Sequence, residues 1–214
     1  MEPGYAVCQD AAQSRRIVAG LFSSLDCVVD MPEKWGFPYL SKQLSERIAA
    51  GIAKADAVLL GPRTYSLFMQ LWRHQGDEVP MAKFLNNSPK YVVSSSIQSL
   101  EWPPATLMSG ELATAVRKLK AMPGKDIQVP GSPKLVRSLL REGLLDELNL
   151  IVCPVVVGTG LRLFDGLNDP IKLNLAQTIA FDNGAIAVSY RPLPQKVEPT
   201  DRPQHFPQAA SRDR

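Results

Sequence analysis

A chain of 214 residues, 45% hydrophobic and 21% charged, has the make-up of an ordinary globular protein and the length for one domain with a full core. Its net charge of +3 is spread along the chain without a basic block beyond pairs such as Arg15-Arg16, which excludes the electrostatic footprint of a nucleic-acid binder. Three cysteines without C-x-x-C spacing argue against a disulfide framework or a zinc site, and no stretch approaches the ~18 apolar residues of a membrane span or the pattern of a signal peptide, so the expected location is the cytoplasm.

Residues 1–15 read as a flexible extension, 16–191 as one domain and 192–214 as a tail. From Arg16 to Leu25 the chain reads as a buried strand, followed by a loop from Asp26 to Tyr39 that holds Trp35, Gly36, Phe37 and Pro38. Between Ser41 and Ala55 the residues Leu44, Ile48 and Ile52 recur every four positions, which predicts an amphipathic helix. Ala57 to Leu60 is a short buried strand, and Thr64 to Trp72 is a helix after Pro62, a residue that a helix start tolerates. The order repeats with strands at Lys90–Ser94 and Ala105–Met108, a helix over Glu111–Met122 stopped by Pro123-Gly124, and a strand at Asp126–Val129. Leu135, Val136, Leu139 and Leu140 mark a further helix that ends at Gly143, and Glu147 to Val157 is a longer strand interrupted by Pro154.

This alternation implies an α/β fold with a mostly parallel central sheet and helices on both faces. Its end differs, because Leu173–Phe181 and Ala185–Tyr190 flank Asp182-Asn183-Gly184, and Asn-Gly between alternating segments signals an antiparallel hairpin. Beyond Arg191, five prolines among polar residues form a composition that cannot bury enough surface to order itself.

Three junctions share one physical logic: Gly61-Pro-Arg63-Thr64, Val93-Ser94-Ser95-Ser96 and Val129-Pro-Gly131-Ser132. At each a strand ends, a small residue lets backbone approach a ligand, and a following helix offers unpaired N–H groups and a positive dipole end to an anion. Taken singly, Ser132-Pro133 is equally an N-cap and first-turn pair with no ligand. Three such junctions at the carboxyl ends of successive strands fall where open α/β sheets bind ligands, which points to a nucleotide.

The ordered set Phe22-Ser-Ser-Leu-Asp26, Trp35-Gly-Phe-Pro-Tyr39, Ala55-Asp-Ala-Val-Leu-Leu-Gly61 with Arg63-Thr-Tyr65, Lys90-Tyr-Val-Val-Ser94, Gly131-Ser132, and Leu144-Leu-Asp-Glu-Leu148 with Pro154-Val-Val-Val-Gly-Thr-Gly160 resembles the RibD C-terminal domain family, from about Arg16 to Pro192. The resemblance implies the dihydrofolate reductase fold, a reductase using a nicotinamide dinucleotide, usually NADPH with NADH possible, a small-molecule substrate, and a homodimer. It implies that Gly61, Arg63 and Thr64 hold the pyrophosphate and adjoining ribose, that Ser94 and Ser95 lie near the adenosine ribose and its 2′-phosphate, and that Gly131 and Ser132 bring backbone to the pyrophosphate bridge. Asp26 with the loop of Trp35, Phe37 and Tyr39 would border the nicotinamide and the substrate, and Gly158 and Gly160 would shape the neighbouring loop.

Three positions depart from the family pattern. Pro62 stands where an arginine often helps to bind the 2′-phosphate, and Cys27 replaces the glycine of Ser-Leu-Asp-Gly, where a Cβ restricts the loop. Leu40 stands where dihydrofolate reductases carry their pterin-binding acid, so dihydrofolate is not the expected substrate.

Asp26 has two readings, a turn residue or a proton relay with a raised pKa beside an apolar loop. The aromatic loop is either a set of packing anchors or a pocket wall, and Arg63 a surface ion-pair partner or a phosphate ligand. His74 and His205 are the only histidines, too few for a catalytic triad or a histidine-rich metal site, and Gly158-Thr-Gly160 lacks the rest of a Rossmann fingerprint. The expectation is hydride transfer to a C=N or C=O bond of a small heterocyclic or imine-like substrate, with the proton from water or Asp26. The alternative is a non-catalytic nucleotide- or ligand-binding protein on the same fold, a flavin being one possible occupant.

Overall fold

The computed structural model describes residues 14–194. In chain order the elements are β1 (Ile17–Ser23), α1 (Pro32–Trp35), a 3-10 turn over Phe37–Tyr39, α2 (Lys42–Ile52), β2 (Ala55–Leu60), α3 (Pro62–Trp72), α4 (Pro80–Asn87), β3 (Lys90–Val93), β4 (Ala105–Met108), α5 (Leu112–Ala121), β5 (Asp126–Pro130), α6 (Pro133–Arg141), β6 (Glu147–Val152), β7 (Leu173–Ala180) and β8 (Ile186–Pro192). Eight strands form one sheet in the order β4-β3-β2-β5-β1-β6-β8-β7. The first six of that order pair in parallel, and β8 and β7 add the antiparallel hairpin.

Burial explains why the central strands read as continuous apolar runs. On β2, Ala57 and Leu59 join a cluster with Val116 of α5 and Val136 and Leu139 of α6, while Val58 and Leu60 join Tyr65 of α3 and Leu85 of α4 on the opposite face. Alternate residues of a strand point to opposite faces, so a strand covered on both has no polar side to show. A third cluster seats Leu44 of α2 on Phe181 and Ala187 of the hairpin.

Local chemistry sets the element ends. Ser41 caps α2, its Oγ accepting the Leu44 N–H at 3.2 Å. The hairpin turns through Gly184 at φ +84°, whose N–H donates to the Phe181 carbonyl at 2.9 Å, the left-handed position that glycine fills without strain.

Several boundaries differ from expectation. Helix α4 lies in a stretch to which the sequence reading assigns no element, although Met81, Ala82, Phe84 and Leu85 follow Pro80 at helical spacing and pack inward. Strand β6 stops at Val152 rather than Val157, since Pro154 has no N–H to give a ladder. The chain beyond it is zipped to the loop after β1: the Cys153 N–H reaches Ser23 O at 2.8 Å, the Leu25 N–H reaches Val155 O at 2.9 Å, and the Val29 N–H reaches Leu161 O at 3.0 Å. Packed structure begins before residue 16, because Arg15 is buried, donating from Nε to Lys125 O at 2.7 Å and pairing with Asp56. Residues 1–13 and 195–214, which hold most of the expected extension and tail, lie outside the described residues. Among the described residues no helix is long and apolar enough to cross a membrane.

Candidate active site

Because β2, β5, β1 and β6 are neighbours in that order, their carboxyl ends bring Gly61, Gly131-Ser132, the Ser24–Asp26 turn and the Pro154–Gly160 segment to one edge of the sheet, about 4.8 Å per strand apart. Two of the expected junctions are bonded to each other. The Gly61 N–H donates to Ser132 Oγ at 2.9 Å, and that hydroxyl donates to Thr64 Oγ1 at 2.6 Å. A Cβ on Gly61 would sit 3.0 Å from Ser132 Oγ, so any other residue there would press the serine side chain back by a few tenths of an ångström. Gly131 at φ +95° and Ser132 at φ +57° turn the chain so that α6 begins beside α3.

Each of these helices starts with proline, which contributes no N–H, so the first-turn donors left are those of Arg63 and Thr64 on α3 and of Lys134 and Leu135 on α6. Two positive helix ends side by side make an anion cradle. Arg63 is exposed at its rim, and the Thr64 hydroxyl, half-buried, keeps its own proton to donate. The third junction lacks the expected helix, because the chain runs from β3 through a turn and loop into β4. Ser94 is buried and its Oγ accepts the N–H groups of Ser96 at 3.1 Å and Ile97 at 3.0 Å, so its side chain shapes the turn and Ser95 stands exposed beside it.

Asp26 is tied into the fold. Its carboxylate accepts the Val157 N–H at 3.0 Å, the Ser24 hydroxyl at 2.7 Å and the Gly158 N–H at 2.9 Å, and Arg162 lies 3.5 Å away. The Val157 and Ser24 hydrogen bonds, with that from Gly158, outweigh burial and hold the carboxyl well below the usual carboxylate range. The expected raised pKa is thus reversed: three donors favour the charged form more than the apolar loop disfavours it. Cys27 beside it takes φ +65°, the left-handed conformation that glycine would adopt freely at that place.

Gly158 and Gly160 both take positive φ in the loop that faces Asp26 and Asp30. Gly160 has φ +133°, and a Cβ there would meet Asp30 Oδ1 at 2.6 Å and Val28 Cγ1 at 2.7 Å. Asp30 accepts the Leu161 N–H at 2.9 Å, and Arg162 donates to Asp26 O at 3.0 Å and Gly158 O at 3.1 Å. Sequence reasoning passed over Asp30 and Arg162. The local signal is two carboxylates four apart opposite two glycines two apart, but nothing in the chain pairs segments 131 residues distant.

The aromatic loop divides. Trp35 is half-buried with Nε1 donating to Asp30 O at 3.0 Å, which makes it an anchor. Phe37 is exposed, its ring edge-on to Phe22 at 5.7 Å. Tyr39 packs against the α2 cluster with its hydroxyl 3.5 Å from Pro154 O. Among the described residues no group of three or more His, Cys, Asp or Glu could hold a metal ion.

The model of the RibD C-terminal domain family matches residues 15–187. The chain belongs to that family. The uncharacterized protein YyaP of Bacillus subtilis (strain 168) is 30% identical over 138 residues, 63% of this chain and 73% of the relative. Among solved structures, a putative riboflavin biosynthesis protein from Shewanella sp. PV-4 superposes with a TM-score of 0.68 at 15% identity, covering 84% of this chain and 99% of the other. The riboflavin biosynthesis reductase Rib7 of Saccharomyces cerevisiae superposes with a TM-score of 0.56 at 14% identity, covering 86% and 93%. These likenesses agree with the mixed sheet and its terminal hairpin, and family membership supports an oxidoreductase.

Proposed function

We propose that the protein is a reductase that takes hydride from a nicotinamide dinucleotide, NADPH or with lower preference NADH, and delivers it to a C=N or C=O bond of a small heterocyclic or imine-like substrate. The observation that carries this reading is the Gly61–Ser132–Thr64 linkage, which fixes two helix starts side by side where a dinucleotide pyrophosphate needs two sets of N–H donors. The cofactor, when bound, supplies the redox chemistry. Gly61, Gly131 and Ser132 would bring backbone to the pyrophosphate, and the Arg63 and Thr64 side chains would contact its oxygens or the adjoining ribose. Ser95 borders the expected adenosine side, and from Tyr91 to Val116 the chain carries no lysine or arginine. Lys90, the nearest cation in the chain, is buried and donates to Leu85 O and Ser88 O, so Arg63, exposed at the start of α3, is the cation offered for a 2′-phosphate in place of the position taken by Pro62. Asp26, held ionised, keeps the substrate-side loops in place, and the proton that follows the hydride comes from water.

Calorimetric titration with NADPH and NADH, on the parent and on Thr64→Glu, tests this reading. Glutamate in a first helical turn favours the helix, so the variant folds while its carboxylate repels the phosphates. Micromolar binding lost in the variant is expected; equal binding by both proteins, or none by the parent, would refute the assignment.

A homodimer is also proposed. Strand β6 lies inside the sheet and offers no free edge, whereas edge strand β7 carries no charged residue, and Leu175 and Ile186 stand exposed on the hairpin. Sedimentation of the parent and of Leu175→Lys should show a dimer and a monomer respectively.

A further inference from the structure

Around the substrate side of the edge, most polar side chains are spent within the protein. Asp26 holds two N–H groups and a hydroxyl, Asp30 holds Leu161 N, and Arg162 is turned onto Asp26 and Gly158. Ser24 bonds Asp26 and Val28, Trp35 bonds Asp30, and Asn183 bonds the Tyr39 carbonyl at 2.7 Å. What the rim offers outward is apolar: Val156 is 68% exposed, Leu25 60%, Phe37 47% and Leu40 43%.

The segments that carry these residues are drawn together. The Leu25 N–H bonds Val155 O, placing Leu25 beside Val156, and Tyr39, between Phe37 and Leu40, reaches Pro154 O. Isolated exposed apolar residues are ordinary, but a cluster of them on loops beside an anion cradle marks a ligand contact.

Charge sharpens the choice of ligand. The loops 24–41, 153–172 and 181–185 hold six carboxylates (Asp26, Asp30, Glu33, Asp165, Asp169, Asp182) against three cations (Lys34, Arg162, Lys172), in a chain whose net charge is +3. Lys34 stands next to Glu33 on α1, and Arg162 is committed to Asp26. A phosphate or carboxylate brought to this side would meet net negative charge, whereas the cradle at the ends of β2 and β5 carries the positive helix ends.

We propose that the acceptor is an uncharged, flat, largely apolar ring compound without a phosphate group, bound against Leu25, Phe37, Leu40 and Val156. The proposal rests on the reductase reading and narrows its substrate class. The site separates its ligands by charge: the dinucleotide phosphates go to the α3/α6 cradle, and a neutral ring goes to the apolar rim. In the reaction a C–H bond of the reduced nicotinamide breaks, its hydride forms a new bond to the acceptor carbon or nitrogen, and a proton from water completes the reduction. One NAD(P)+ is released per acceptor reduced.

Riboflavin and riboflavin 5′-phosphate are matched fluorescent probes that differ by one phosphate. They are titrated by fluorescence quenching onto the full-length protein saturated with NADP+, and onto Phe37→Ala and Val156→Arg. Riboflavin is expected to bind at least tenfold more tightly than its phosphate, to weaken at least fivefold in Phe37→Ala, and to lose its advantage in Val156→Arg through tighter phosphate binding. Equal affinity, preference for the phosphate, or no binding of either probe while NADP+ still binds would overturn the proposal. Failure of NADP+ to bind in the parallel calorimetric titration would instead refute the reductase reading, so the two failures are distinct.

Discussion

Replacing Ser132 by alanine removes the atom that joins the two helix starts. Ser132 Oγ accepts the buried Gly61 N–H at 2.9 Å. A buried donor left unpaired costs about 1–3 kcal/mol, and the Thr64 hydroxyl, half-exposed, turns to solvent at little further cost. A loss of about 2 kcal/mol corresponds to a fall of roughly 4–8 °C in Tm for a domain of this size. Ser132→Gly loses the same hydroxyl but relieves the left-handed backbone at φ +57°, returning about 1 kcal/mol, so it should fall midway. Thermal and urea denaturation of the three proteins measure this, and calorimetry should show both variants binding NADPH at least tenfold more weakly. An alanine variant within about 0.5 kcal/mol of the parent, the range of an ordinary surface substitution, would refute the claim that this hydroxyl fixes the junction.

Other consequences follow from the same contacts. Gly160→Ala drives a Cβ to 2.6 Å from Asp30 Oδ1 at a positive φ, and urea denaturation should register a loss of about 2–3 kcal/mol, in the range of overpacking. Asp26→Asn should lower Tm, because an amide cannot accept as the carboxylate does, while leaving the acid limb of the kcat–pH profile unchanged; an acid limb that disappears in the variant would restore Asp26 as proton donor. Its depressed pKa contributes stability that is present above the ordinary aspartate value, near 3.8, and is lost as pH falls below it, so the gap in Tm between parent and Asn variant should close in acid. Lys90 is fully buried, donating to Leu85 O at 2.7 Å and Ser88 O at 3.1 Å with its Nζ 4.7 Å from the Trp102 ring centre, and burial lowers its pKa from 10.5 to about 8. Between those values the unfolded chain holds more protons, so this residue makes stability rise with pH from about 8 upward. The rise should be smaller in Lys90→Met; identical slopes would contradict a buried ammonium.

Much of the fold was legible because the signals are local. The apolar period of α2, the prolines opening α3 and α6, and Asn183-Gly184 each state an element within a few residues. Cys27 was legible too, since a glycine position filled by a residue with a Cβ is where strain is expected, and its φ is +65°. What remained hidden was pairing across distance. Ser132 meets Gly61 71 residues away, and Asp26 meets Val157 131 residues away. The Asp26 reading went astray for that reason: an apolar loop suggests a raised pKa, and only the docking of the 155–162 segment supplies the N–H groups that reverse it. Exposure along a loop was likewise invisible, so Trp35 and Phe37 read alike although one is an anchor and the other faces outward.

Amide hydrogen exchange with and without saturating NADP+ tests the central claim most directly. Slower exchange at residues 61–65 and 131–136, with the hairpin of β7 and β8 unchanged, is the expected result; protection elsewhere without it, or no change on binding, would contradict a dinucleotide held by the paired helix starts.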